Sequence, residues 1–145
     1  MKTLLIFLWI WGAMIATAVW EASVEGRNAW DQGKLGWKVR MGKYVVLTQY
    51  HFALFGVMWP LLLTLPFIMY GWDTRLFGMV VSAFTSGAVI EDFMWYVFNP
   101  VVKVSELKTD FASYYPRVSI GKWKIPLNYF TGIGVAVLSW LVFWR

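Results

Sequence analysis

Residues 76–98 read LFGMVVSAFTSGAVIEDFMWYVF, with Glu91 and Asp92 as the only charged residues in the run. About 20 predominantly apolar residues suffice for a helix to cross a bilayer. Three other stretches have the same character: residues 3–20, 44–70 and 126–144. Pro126 suits a first helical turn, and Pro60 and Pro66 are the expected kink sites in the second stretch. The pattern predicts an all-α integral membrane protein, a single transmembrane domain over residues 1–145. Its four transmembrane helices form an antiparallel bundle with two long cytoplasmic loops.

Composition agrees. Hydrophobic residues make up 59 % of the 145 and charged residues 14 %, against about 25 % charged in a soluble domain. The 11 Trp suit membrane interfaces, where an apolar ring and a wet N–H are both accommodated. The net charge of +5 does not point to nucleic acid, because the basic residues lie between apolar spans rather than on one soluble face. Membrane lipids, with anionic headgroups, are the expected partner. Cysteine is absent, so the redox compartment cannot be read from thiol usage.

Charge also orients the chain. Arg27, Lys34, Lys38, Arg40 and Lys43 fall in loop 21–43, and Lys103, Lys108, Arg117, Lys122 and Lys124 in loop 99–125. Only Lys2, Arg75 and Arg145 lie on the other side. The positive-inside rule then puts both loops in the cytoplasm and both termini outside a plasma-type membrane. Lys2, the apolar run and Ala16-Thr17-Ala18 also fit a cleaved signal peptide. Cleavage would leave both basic loops outside, so a retained helix is the preferred reading.

In the first loop, Trp30, Trp37 and Met41 are spaced to share one helical face, with Lys34, Lys38 and Arg40 alongside. This predicts a short interfacial helix, with an irregular basic loop as the alternative. In the second loop a helix is expected from Ser105, with Leu107 and Phe111 at i,i+4. Gly121-Lys122 then suits a two-residue hairpin turn, pairing Ile120 with Trp123 and Val118 with Ile125. A coil would use the same residues. No repeat is visible at periods of 20–50 residues.

The chain carries no P-loop, Gly-x-Ser-x-Gly or His-Glu-x-x-His, and no cofactor is expected. One feature stands apart. A carboxylate at a helix centre costs about 2.5–3.5 kcal/mol on insertion scales, and Glu91 and Asp92 are adjacent there. On a helix they point about 100° apart. Asp92 shares a stripe with Ser82, Thr85, Tyr96 and Asn99, so this stripe should face protein or water. Glu91 must turn to a neighbouring helix or keep its proton. Counted from Tyr44, His51 lies about 10 Å into the second span, the same depth as the two acids from Asn99. The expected binding site, for a proton or cation or as a structural polar cluster, is therefore His51, Glu91, Asp92, Tyr96 and Asn99. His51, Glu91 and Asp92 would be the ligands of any metal. Small residues Gly78, Ser82, Ser86, Gly132 and Ala136 are expected to let helices approach closely.

Three functions compete. The first is a non-catalytic subunit or accessory protein of a larger membrane complex, partnered by other subunits or by copies of itself. The second is a small carrier or channel component with an intramembrane acidic site. The third is a membrane-embedded enzyme acting on lipid headgroups. No motif specifies a reaction, which favours the first.

Overall fold

A computed structural model describes the chain except residues 43, 44, 110, 112–115 and 122. Among the described residues, four helices are long and apolar enough to cross a membrane: α1 (Lys2–Glu25), α2 (Gln49–Tyr70), α3 (Thr74–Phe98) and α4 (Leu127–Trp144). Two antiparallel hairpins separate them in sequence. Strands β1 (Lys38–Met41) and β2 (Val45–Thr48) precede α2, and β3 (Arg117–Ile120) and β4 (Trp123–Pro126) precede α4. The chain forms two compact units, Met1–Arg27 with Thr74–Arg145, and Asn28–Asp73. Each is described by itself.

In the first unit α3 packs on both α1 and α4. Helix α1 runs parallel to it: Trp11 Nε1 donates to Ser86 Oγ at 3.0 Å, and Asn99 Nδ2 donates to Gly26 O at 2.8 Å. Helix α4 runs antiparallel: Ser139 Oγ donates to Gly78 O at 2.9 Å, and Ser82 Oγ to Ala136 O at 2.8 Å. The small residues make this closeness possible, as expected. A Cβ on Gly132 would lie 2.7 Å from Val89 Cγ2, and one on Gly87 would lie 3.0 Å from Met14 Cγ. Without a hydrophobic drive between helices in lipid, short backbone approaches and hydroxyl bonds of this kind are the available adhesive.

Helix α1 is longer than expected. Its buried stripe of Ile10, Met14, Ala18, Glu21, Ala22 and Glu25 keeps helical spacing through two acids, and Gly26 ends it at φ +55° with its N–H on Ala22 O. The helix expected from Ser105 is one short 3₁₀ turn, Val104–Lys108. The hairpin after it has the expected register, Val118 opposite Ile125 and Ile120 opposite Trp123. Gly121 has φ +58°; the other expected turn residue, Lys122, lies outside the described residues.

In the second unit the expected interfacial helix is absent, and the β1–β2 hairpin takes its place. Lys38 faces Thr48, and Met41 faces Val45. The β-branched residues Val45, Val46 and Thr48 prefer this pleated surface. Helix α2 therefore begins at Gln49; the expected first residue of the span, Tyr44, lies outside the described residues. Thr48 caps the helix, its Oγ1 accepting the His51 N–H at 3.2 Å. Gln49 closes the hairpin's base, donating its N–H to Trp37 O at 2.9 Å and accepting the Trp37 N–H at 3.3 Å. Wide π-helical turns run over Phe52–Met58, just before Pro60. A proline ring collides with the carbonyl four residues back in a regular helix, and wider turns relieve that.

Candidate functional site

The two acids of α3 face two different neighbours. Asp92 Oδ2 accepts a 2.6 Å hydrogen bond from the Tyr129 hydroxyl of α4. Glu91 is buried and turns to α1, where its carboxyl is hydrogen-bonded to that of Glu21, with Glu25 and Asp92 close enough to act on it electrostatically. Glu21 and Glu25 are also buried, with carboxylate oxygens within 4.8 Å of each other. The 100° between adjacent helical residues thus sends one carboxyl to each side of the central helix.

Carboxylate oxygens are the ligands that hard cations such as Ca²⁺, Mg²⁺ or Mn²⁺ take.

Asn99 is a clamp. Its Nδ2 holds the end of α1 at Gly26 O, while its Oδ1 accepts the N–H groups of Val101 and Val102 at 3.0 and 2.9 Å. All three bonds go to backbone. Tyr96 is buried and meets Trp95 edge-on, with ring centroids 5.0 Å apart. Beyond Asn99, Arg27 grips Glu106 with both nitrogens, at 2.7 and 3.2 Å, and also donates to Val101 O at 2.9 Å. The guanidinium hydrogen bond, helped by the Lys103 N–H, holds the Glu106 carboxyl below its ordinary range.

His51 belongs to the second unit. Its Nδ1 is 2.7 Å from Thr48 Oγ1, and its ring lies 4.1 Å from that of Trp30. It occupies the first turn of α2. Measured along its own helix it is about 3 Å from the start.

Glu21, Glu25 and Tyr129 were missing from the expected site. A signal for the two glutamates exists: their i,i+4 spacing prolongs the stripe of Ile10, Met14 and Ala18. Tyr129 is visible only as a polar residue near a helix start.

The class these observations define is a mainly helical chain with four helices fit to cross a membrane and a buried carboxyl group cluster where three of them meet. Comparison with known protein families, with curated proteins and with solved structures returned no match.

Proposed function

We propose that the chain is a small polytopic membrane protein that serves as a non-catalytic subunit or accessory protein of a larger membrane complex. Both termini are outside and both hairpins are cytoplasmic. The observation that carries this reading is uncovered apolar surface. Inside the chain only 17 %, 11 %, 39 % and 6 % of the apolar windows of α1 to α4 are buried. Lipid covers such surface without cost, and so does a partner helix. The polar groups used between helices, from Ser82 to Asn99, serve adhesion and capping. Native mass spectrometry after mild extraction tests the reading. A stoichiometric partner, or a defined homo-oligomer, is the expected result. A lone monomer from native membranes would defeat it.

A second reading has its own support in the Glu21–Glu91 contact with Glu25 and Asp92 beside it. Here the cluster takes up and releases a proton or cation as part of transport. Purified protein in liposomes should then carry proton or cation flux that Glu91→Gln abolishes. Absence of flux with the wild-type chain would remove this reading and leave the first untouched.

A further inference from the structure

The two hairpins repeat one another. Lys38-Val39-Arg40-Met41-Gly42-Lys43 matches Arg117-Val118-Ser119-Ile120-Gly121-Lys122 as cation, Val, any residue, Met or Ile, Gly, Lys. Both glycines have positive φ, +74° and +58°. Each hairpin follows a long apolar helix and runs into the next with no intervening residue, Thr48 to Gln49 and Pro126 to Leu127. The chain is thus helix–hairpin–helix twice over. A search at periods of 20–50 residues misses it because the copies stand further apart, and because the first turn holds one residue more than the second.

The faces repeat as well. Residues directly opposite in an antiparallel pair share a face. In the first hairpin Val39, Met41, Val45 and Leu47 fall on one face and Lys38 and Arg40 on the other. In the second, Val118, Ile120 and Ile125 share one face, with Arg117 and Lys124 on the other. The apolar faces are open: Val39 is 51 % exposed, Met41 56 % and Ile120 51 %. A two-stranded ribbon is marginal in water by itself, so an open aliphatic face of this kind calls for a cover.

We infer that the two hairpins are equivalent interfacial feet, each lying with its aliphatic face in the headgroup–acyl boundary of an anionic leaflet and its cations at headgroup level. The inference rests on the membrane reading above. Direct continuity with α2 and α4 holds each ribbon within a few residues of a helix end, where the boundary lies. The charge selects the leaflet: Lys and Arg at a bilayer surface are attracted by anionic lipids and release their hold as those lipids are diluted. An amphipathic element with cations on one side and aliphatic residues on the other takes this position whether its backbone is helical or extended.

The cysteine-free chain allows single nitroxide labels at Val39→Cys, Ile120→Cys, Arg40→Cys and Lys124→Cys, with Val135→Cys on α4 as a reference. In vesicles of phosphatidylcholine with phosphatidylglycerol, the labels at 39 and 120 should be accessible to oxygen and shielded from a water-soluble nickel reagent. Those at 40 and 124 should meet nickel freely. In pure phosphatidylcholine, or with Arg40→Gln and Lys124→Gln together, shielding at 39 and 120 should fall several-fold. Shielding that ignores lipid charge and these substitutions would overturn headgroup recognition. Nickel access at 39 and 120 in every vesicle, with 135 still buried, would overturn the feet and spare the membrane reading. Nickel access at 135 as well would sink both. Shielding at only one of the two hairpins would refute their equivalence.

Discussion

The two halves of α3 solve one problem with different chemistry. From Gly78 to Gly87 the helix meets its neighbours through missing side chains and short hydroxyl bonds. Ser82 reaches Ala136 O, Ser139 reaches Gly78 O, and Trp144 Nε1 donates to Ser82 Oγ at 2.9 Å. From Glu91 to Asn99 the same helix uses carboxyls, a phenol and a carboxamide. The first half holds groups that do not titrate over the ordinary pH range, so its adhesion is indifferent to solution conditions. The second half uses ionisable side chains.

The glycine seam should be the least forgiving. A Cβ at Gly78 collides with Phe143 and comes within 2.9 Å of Trp144 Cδ1. We expect Gly78→Leu to cost about 3 kcal/mol or more, the upper range for overpacking, and to separate α4 from α3. Gly134, with nothing within 4 Å of an added Cβ, is the control, and Gly134→Ala should leave stability unchanged or slightly raised. Thermal unfolding in detergent, read by near-UV circular dichroism, compares the two. Equal melting temperatures would mean that the seam does not hold the helices.

Next in size is the capping end of the second half. Asn99→Ala deletes three hydrogen bonds and strands the buried Val102 N–H. A loss of about 2 kcal/mol is expected, since unsatisfied buried groups cost about 1–3 kcal/mol each and solvent recovers part of that. Asn99→Asp retains the acceptor that caps Val101 and Val102 and should recover part of the loss. If Asn99→Ala unfolds at the wild-type temperature, the clamp between α1 and α3 is ornamental.

The legibility of the two halves differs for a physical reason. Apolar length identified all four helices, because crossing length is a one-dimensional property of sequence. The second hairpin was legible from alternation around Gly121. The first was not: Trp37 and Met41 happen to stand at helical spacing, and the apolar Val45, Val46 and Leu47 merge with the span that follows. Period alone does not separate a short apolar strand from a helix start. Glu21 and Glu25 were lost because hydropathy falls at a charge, whereas a helix continues where that charge finds a partner. The 100° split between Glu91 and Asp92 was legible, but not which helix each would meet. That depends on packing, which no single span encodes.

Tyr129→Phe tests the α4-facing acid alone. It removes the 2.6 Å bond to Asp92 and leaves the ring. A hydrogen bond contributes about 0.5–1.5 kcal/mol net, and a loss of about 1 kcal/mol is expected for this half-buried pair. Asp92→Ala should then cost less in the Tyr129→Phe background than in the wild type, because the two changes remove one shared bond. Additive losses would show that Asp92 draws its stability from elsewhere.

The smallest effect belongs to the outermost contact of the second half, Arg27 with Glu106. Both side chains reach solvent, at 54 % and 23 % exposure, so screening by salt limits what the pair contributes. Its sign is still fixed. The Glu106 carboxyl is held below its ordinary value of 4.5, first by the Arg27 hydrogen bond, so folding favours its ionised form. That contribution is complete above the unfolded value and disappears as pH falls through the lower folded one. Arg27 is raised from an already high value by the same hydrogen bond and stays charged throughout. Wild type and Glu106→Gln should therefore differ in melting temperature at pH 6 and converge as the pH is lowered below about 4. Salt at about 1 M should shrink the pH 6 difference. The rest of the chain is the same in both proteins, so the difference isolates the pair. A gap that widens on acidification would mean that Glu106 is stabilised as the neutral acid, and the Arg27 hydrogen bonds would then not be what sets its ionisation.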